Sequence, residues 1–176
     1  MTDELEISAN EIINIHELAK TVIQNAAAKN ITIAAAESCT GGLICAALTS
    51  IVGSSKVLLG GFVTYSNDFK ERYLNVPHKT LLDNGAVSKE TALAMLKGIR
   101  NASHASLNIA VTGIAGPDGG SEAKPVGLVY IAINDINGKN YVHEFRFSGS
   151  RHRIRIDTVK NALLLLKDQL DSQINR

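Results

Sequence analysis

Tryptophan is absent from this chain of 176 residues, and four phenylalanines and four tyrosines make up its aromatic content. An aromatic stacking platform for single-stranded nucleic acid is therefore not expected. Charge of one sign is not in excess either: 18 lysines and arginines stand against 17 aspartates and glutamates, a net charge of +1 with histidine neutral. A field that small draws neither nucleic acid nor an acidic membrane. Long apolar runs are missing, since the strongly apolar stretches are short and carry Gly, Ser and Thr, and none spans a bilayer. The opening residues, MTDELEISANEI, are acidic and polar, the reverse of a secretory leader. Only Cys39 and Cys45 are present as cysteines. On one helix they would point to different faces, and their spacing is not that of a zinc site, so a reducing cytoplasm is the expected setting. Glu37, Asp68, Asp118 and Glu122 make no His/Cys/carboxylate cluster at ligand spacing, and no metal is expected.

What is present is the composition of an ordinary globular domain, 45% hydrophobic and 20% charged. Residues 1–176 read as one domain with its core at about 11–170, with no linker and no internal repeat. Helical periodicity runs from about Ala9 to Lys29, and ITIAAA (Ile31 to Ala36) reads as a short buried strand. Thr40-Gly41-Gly42 opens a helix from Leu43 to about Ile51. VLLGGFVTY (Val57 to Tyr65) is a strand in which Gly60-Gly61 marks a bulge or a close backbone approach. Short helical pieces follow near Asp68 to Leu74 and Lys79 to Asn84, and Ser88 caps a helix to about Ser103. Leu107 to Gly113 is a buried strand. Leu128 to Ile133 and Tyr141 to Phe147 form a hairpin around Asn137-Gly138, and Ser148-Gly149-Ser150 caps a last helix to about Leu170. This alternation predicts a three-layer α/β/α sandwich, and the hairpin makes its sheet mixed. Edge strands and the long amphipathic last helix leave a homodimer open.

Ligands of open α/β sheets bind outside the carboxyl ends of parallel strands, and the unusual residues gather there. AESCTGG (Ala36 to Gly42) runs from a strand through a glycine turn into a helix, aiming free N–H groups beside Ser38. Such donors suit a phosphate or the oxyanion formed when a hydroxyl attacks a carbonyl; a plain N-cap role for Ser38 or Thr40 fits the same pattern. FVTYSNDFK (Phe62 to Lys70) holds Tyr65 and Lys70, groups able to move a proton. None of the five histidines (16, 78, 104, 143 and 152) falls in these loops, so a desolvated lysine, with the tyrosine relaying or orienting, is the alternative base for a serine. Cys39 is a competing nucleophile, or else small core packing. TGIAGPDGG (Thr112 to Gly120) lets backbone approach a ligand closely, and Asp118, Ser121 and Glu122 suit ribose hydroxyls or simply a soluble loop. It matches neither the dinucleotide fingerprint nor the P-loop. The basic segment from Arg146 to Arg155 offers Arg151 to a phosphate or carboxylate, or is a solvated helix face.

AESCTGG, GGFVTYSNDFK, GAVS and TGIAGPDGGSEAKPVG, in that order from about Glu11 to about Leu170, resemble the CinA C-terminal-domain family. Its stand-alone members are nicotinamide mononucleotide amidohydrolases of the PncC type. The resemblance implies a mixed, mostly parallel sheet of about five strands, similar to anticodon-binding domains. It also implies a reaction of pyridine-nucleotide salvage: nicotinamide mononucleotide and water give nicotinate mononucleotide and ammonia. The family's nucleophile falls on Ser38, its tyrosine on Tyr65 and its lysine on Lys70. Glu37, Thr40, Gly41, Gly42, Thr112, Gly113, Gly116, Gly119, Gly120 and Arg151 are expected at the substrate, with oxyanion donors near Thr40, Gly41 and Gly42 and no organic cofactor. Where relatives often have Gly-Asp-Arg, this chain has Gly149-Ser150-Arg151. Longer members carry a further N-terminal domain, for which no counterpart is expected before Glu11. A nucleotide-binding domain without catalysis, or an amidase for another small amide, are the alternatives.

Overall fold

A computed structural model describes residues 8–172; the acidic residues before Ser8 lie outside it. Helix α1 (Ala9–Ala28) starts from a reciprocal cap in which Ser8 accepts from the Glu11 amide while the Glu11 side chain accepts from the Ser8 amide. Strand β1 (Ile33–Glu37) is buried along its whole length and leads into α2 (Leu43–Thr49). A 3₁₀ turn at Ser54–Lys56 precedes β2 (Leu58–Val63), and the short helices α3 (Asn67–Leu74) and α4 (His78–Asn84) follow. Next come α5 (Lys89–Ser103), β3 (Leu107–Gly113), β4 (Leu128–Asn134), β5 (Asn140–Arg146) and α6 (Arg151–Asp171). Ser66, Ser88 and Ser150 each cap the helix that follows them, accepting from the amide three residues on.

The five strands make one sheet in the order β2-β1-β3-β4-β5. β1 runs parallel to β2 and β3, while β4 is antiparallel to both β3 and β5, so β4 alone opposes the rest. The predicted three-layer sandwich is present. Residues alternate across each strand, and one face (Ile33, Ala35, Ile109, Val111, Ile131) packs under α1, α2 and α6. The other face carries Ala34, Ala36, Ala110 and Ala132 beneath Met95, Leu96 and Ile99 of α5. Alanines there let α5 sit close to the sheet, and each fully buried Leu, Ile or Met adds roughly 1.5–3 kcal/mol. Among the described residues no helix is long and apolar enough to cross a membrane.

Some expectations needed correction. The turn between β4 and β5 is wider than a two-residue hairpin, because Asp135 organises it: its carboxylate accepts from the amides of Asn137 and Lys139. The hairpin itself pairs antiparallel as expected. At Gly60-Gly61 both suggested features occur. The β1–β2 register slips past Leu59, and a Cβ on Gly61 would stand 2.4 Å from Cys45 Sγ.

Close approach also governs Gly98, which places α5 against the end of α3, the helix that carries Lys70. A Cβ there would stand 2.1 Å from the Leu74 carbonyl oxygen. Alanine normally improves a helix interior by about 1 kcal/mol over glycine. Here overpacking reverses the sign, and Gly98→Ala is expected to lose about 1–3 kcal/mol. Urea unfolding measures it; an unchanged or raised midpoint would contradict the tight α3–α5 contact.

Candidate active site

The loops after β1, β2 and β3 open on one side of the sheet and enclose a cavity of about 250 Å³. That is just below the usual range of about 300–1,000 Å³ for small-molecule sites. Ser38, Cys39, Tyr65, Lys70, Thr112, Gly113, Gly116, Gly119 and Arg151 line it, together with Ala86, Val87, Ile114, Ala115 and Asp118. Most sequence-predicted residues therefore converge, from loops far apart in the chain. Glu37, Thr40, Gly41, Gly42 and Gly120 do not reach the wall.

Ser38 follows directly on β1, and its amide donates to the Val111 carbonyl of β3 at 3.0 Å. Lys70 lies in the first turns of α3, where Ser66 caps the helix and the Lys70 amide donates to the Ser66 carbonyl. Its side chain points inward and is only 1% exposed. The amine Nζ donates to Ser38 Oγ at 3.1 Å, to the Thr64 carbonyl at 2.8 Å and to the Tyr65 carbonyl at 3.4 Å. Those acceptors match the N–H bonds of an ammonium one for one. Burial nevertheless disfavours the charge and lowers the Lys70 pKa to about 8, into the range of a working base.

Tyr65 differs from expectation. Its phenol does not meet Lys70 or Ser38; it accepts from Arg151 Nη2 at 2.7 Å. Only its backbone carbonyl reaches the amine. Arg151 opens α6 and also donates through Nη1 to the Gly116 carbonyl at 2.7 Å. Tyr65 and Arg151 thus meet at the rim of the cavity that both line. Gly116 belongs to this rim for a steric reason: it has φ +79°, and a Cβ would stand 2.6 Å from Val126 Cγ1.

Cys39 also lines the cavity but is disfavoured as the nucleophile. Burial pushes its thiol up to about 12, so it stays protonated at neutral pH. Cys45 is pushed up to about 12 by burial and by the Glu37 carboxylate. Thr112 lines the wall, but its hydroxyl donates to the Ala86 carbonyl at 2.7 Å and anchors the loop before α5. The Thr40 hydroxyl is buried without a partner among the described residues.

Of the oxyanion donors expected near Thr40, Gly41 and Gly42, the two glycine amides are engaged elsewhere, and the Thr40 amide has no acceptor among the described residues but Thr40 does not line the cavity. The Gly41 amide donates to the Ser38 carbonyl, and the Gly42 amide to Glu37 Oε2. Glu37 is fully buried, so it does not touch a ligand; it accepts backbone amides instead. Three contributors were given no place at the site by the sequence. Ala86 and Val87 stand in the GAVS motif, but their apolar side chains carry no chemical signal. Arg155, whose Nη2 donates to the Thr40 carbonyl at 2.8 Å, was signalled only by standing four residues after Arg151 on the same helix face.

Comparison with known proteins bears on the fold and the family. The profile of the CinA C-terminal domain matches residues 15–170. A CinA-like protein of Geobacter sulfurreducens is 50% identical over 142 residues, covering 81% of this chain and 34% of that protein. The chain spans about a third of the length of the curated relatives it matches. Among solved structures, the competence/damage inducible protein CihA from Agrobacterium tumefaciens superposes with a TM-score of 0.86 at 48% identity, covering 89% of this chain and 95% of that one. A competence-damaged protein (CinA) superfamily protein from Enterobacter cloacae gives 0.84 at 33% identity, covering 89% and 92%. With the matched span and the shared fold in agreement, the chain belongs to the CinA C-terminal domain family.

Proposed function

We propose that this domain is a cytoplasmic serine amidohydrolase that converts nicotinamide mononucleotide and water into nicotinate mononucleotide and ammonia. The observation that carries the reaction type is the buried Lys70 amine 3.1 Å from Ser38 Oγ. When Lys70 loses one proton, its remaining N–H bonds stay with the Thr64 and Tyr65 carbonyls, and the lone pair is left for the Ser38 hydroxyl. Ser38 then attacks the carboxamide carbon as Lys70 takes its proton. The lysine returns that proton to the departing ammonia, leaving an acyl ester on Ser38. Water, activated by the same amine, cleaves the ester and restores both groups. A domain that only bound nucleotides would have no use for a buried amine against a serine hydroxyl.

The choice of substrate rests on the resemblance, and the cavity supports it in kind. Its small volume suits a single nucleotide. The glycine-rich wall from Gly113 to Gly119 allows close backbone approach to ribose, and Arg151 at the rim offers a guanidinium for the phosphate. Tyr65 belongs in this reading at the rim, beside Arg151, rather than as a relay to the base.

Ammonia release from nicotinamide mononucleotide tests the reading. Ser38→Ala is expected to abolish release while leaving the unfolding midpoint near that of the parent; full activity would remove Ser38 from the mechanism. Lys70→Ala is expected to cost roughly a hundredfold or more in kcat. Because the neutral amine is the active form, kcat/KM of the parent should rise with pH and level off above a midpoint near 8. A profile flat between pH 6 and 9 would exclude Lys70 as the base.

A further inference from the structure

The turn behind Ser38 is built on a buried carboxylate. Glu37, the last residue of β1, has no exposed surface, yet both its oxygens are engaged. Oε2 accepts from the amides of Gly42 at 2.9 Å and Ile44 at 3.2 Å, and Oε1 accepts from the Cys45 amide at 2.9 Å. Gly41 and Gly42 both have positive φ, +62° and +98°, which doubles the chain back so that these amides converge on the carboxylate. Gly42 at the N-cap of α2 makes no side-chain cap bond; Glu37 takes the place of a cap from outside the helix. On the far side Arg155 holds the Thr40 carbonyl.

The bookkeeping of donors around this turn is informative. The amides of Ser38, Gly41, Gly42, Leu43, Ile44 and Cys45 all have acceptors inside the protein. Among the described residues, two amides of the turn lack an acceptor, Thr40 and Cys39, the latter meeting nothing beyond its own side chain; of the two, only Cys39 lines the cavity. Cys39 follows the hydroxyl that would attack, and it lines the cavity. We infer that Glu37 is a positioning residue whose carboxylate clamps the turn, and that the clamp holds the Cys39 amide in place as the donor to the oxyanion. This rests on the amidohydrolase reading above. The bond from amide to oxyanion forms only as the carboxamide carbon becomes tetrahedral, so a slack turn costs turnover and not ground-state affinity.

Glu37→Gln tests the inference, since the carboxamide keeps the shape but sets an N–H₂ group against backbone donors. With nicotinamide mononucleotide, kcat is expected to fall by at least about tenfold, with KM changed less than threefold and the pH midpoint unmoved. Pyridine-3-boronic acid, which forms an anionic tetrahedral adduct on a serine, should lose affinity by a similar factor, while nicotinate mononucleotide binds as before. A kcat within twofold of the parent, or equal losses in kcat and in product affinity, would overturn the clamp. Should the variant not fold, amide exchange in the parent decides: Gly42, Ile44 and Cys45 are expected to exchange as slowly as β1, and exchange at surface-loop rates would refute the inference. A parent that neither releases ammonia nor binds the boronate would sink the hydrolase reading itself, and this inference with it.

Discussion

An amine buried against a serine hydroxyl is the constraint around which this domain is organised. Lysine is almost never fully buried unless its charge has partners. Here the partners are carbonyls of the turn between β2 and α3 and the hydroxyl at the end of β1. Holding them requires β1 and β2 to end side by side, which their parallel pairing through Glu37 and Val63 ensures. It also requires α3 to approach the sheet closely. The Ser66 cap starts that helix, and Leu74, locked against Gly98 of α5, holds its other end.

The opposite wall follows a different logic. The side chains of Glu37 and Thr112 lie next to the cavity but serve backbone groups, bracing the turns on which Ser38 and Val87 sit. Polar residues that look like ligand contacts in a motif can be the scaffold that fixes a contact, because an unpaired buried amide costs more than a paired one contributes. The rim is made by Tyr65 and Arg151, which join the β2–α3 turn to the start of α6. Helices from both layers of the sandwich therefore contribute to one site. This is the usual consequence of placing a site outside the carboxyl ends of parallel strands.

Much of the architecture was legible from local pattern. Serine caps at Ser88 and Ser150, the buried run Leu107 to Gly113 and the apolar stripe of α1 all depend on neighbours within a few residues. The glycines at 60 and 61 announced a close approach that the structure contains. Asn137-Gly138 misled by one detail, since Asp135 offered its carboxylate to the turn and widened it.

Composition and periodicity alone determined the layered α/β fold and the strand ends where polar residues cluster, because both arise from burial repeated along the chain. Which of those residues meet was decided by tertiary packing. Lys70 turned inward and Tyr65 turned to Arg151, although both lie on the same short segment. Glu37 folded back on its own turn rather than facing a ligand. Such choices depend on which donors and acceptors from distant strands are left unpaired, and no window of neighbouring residues contains that information.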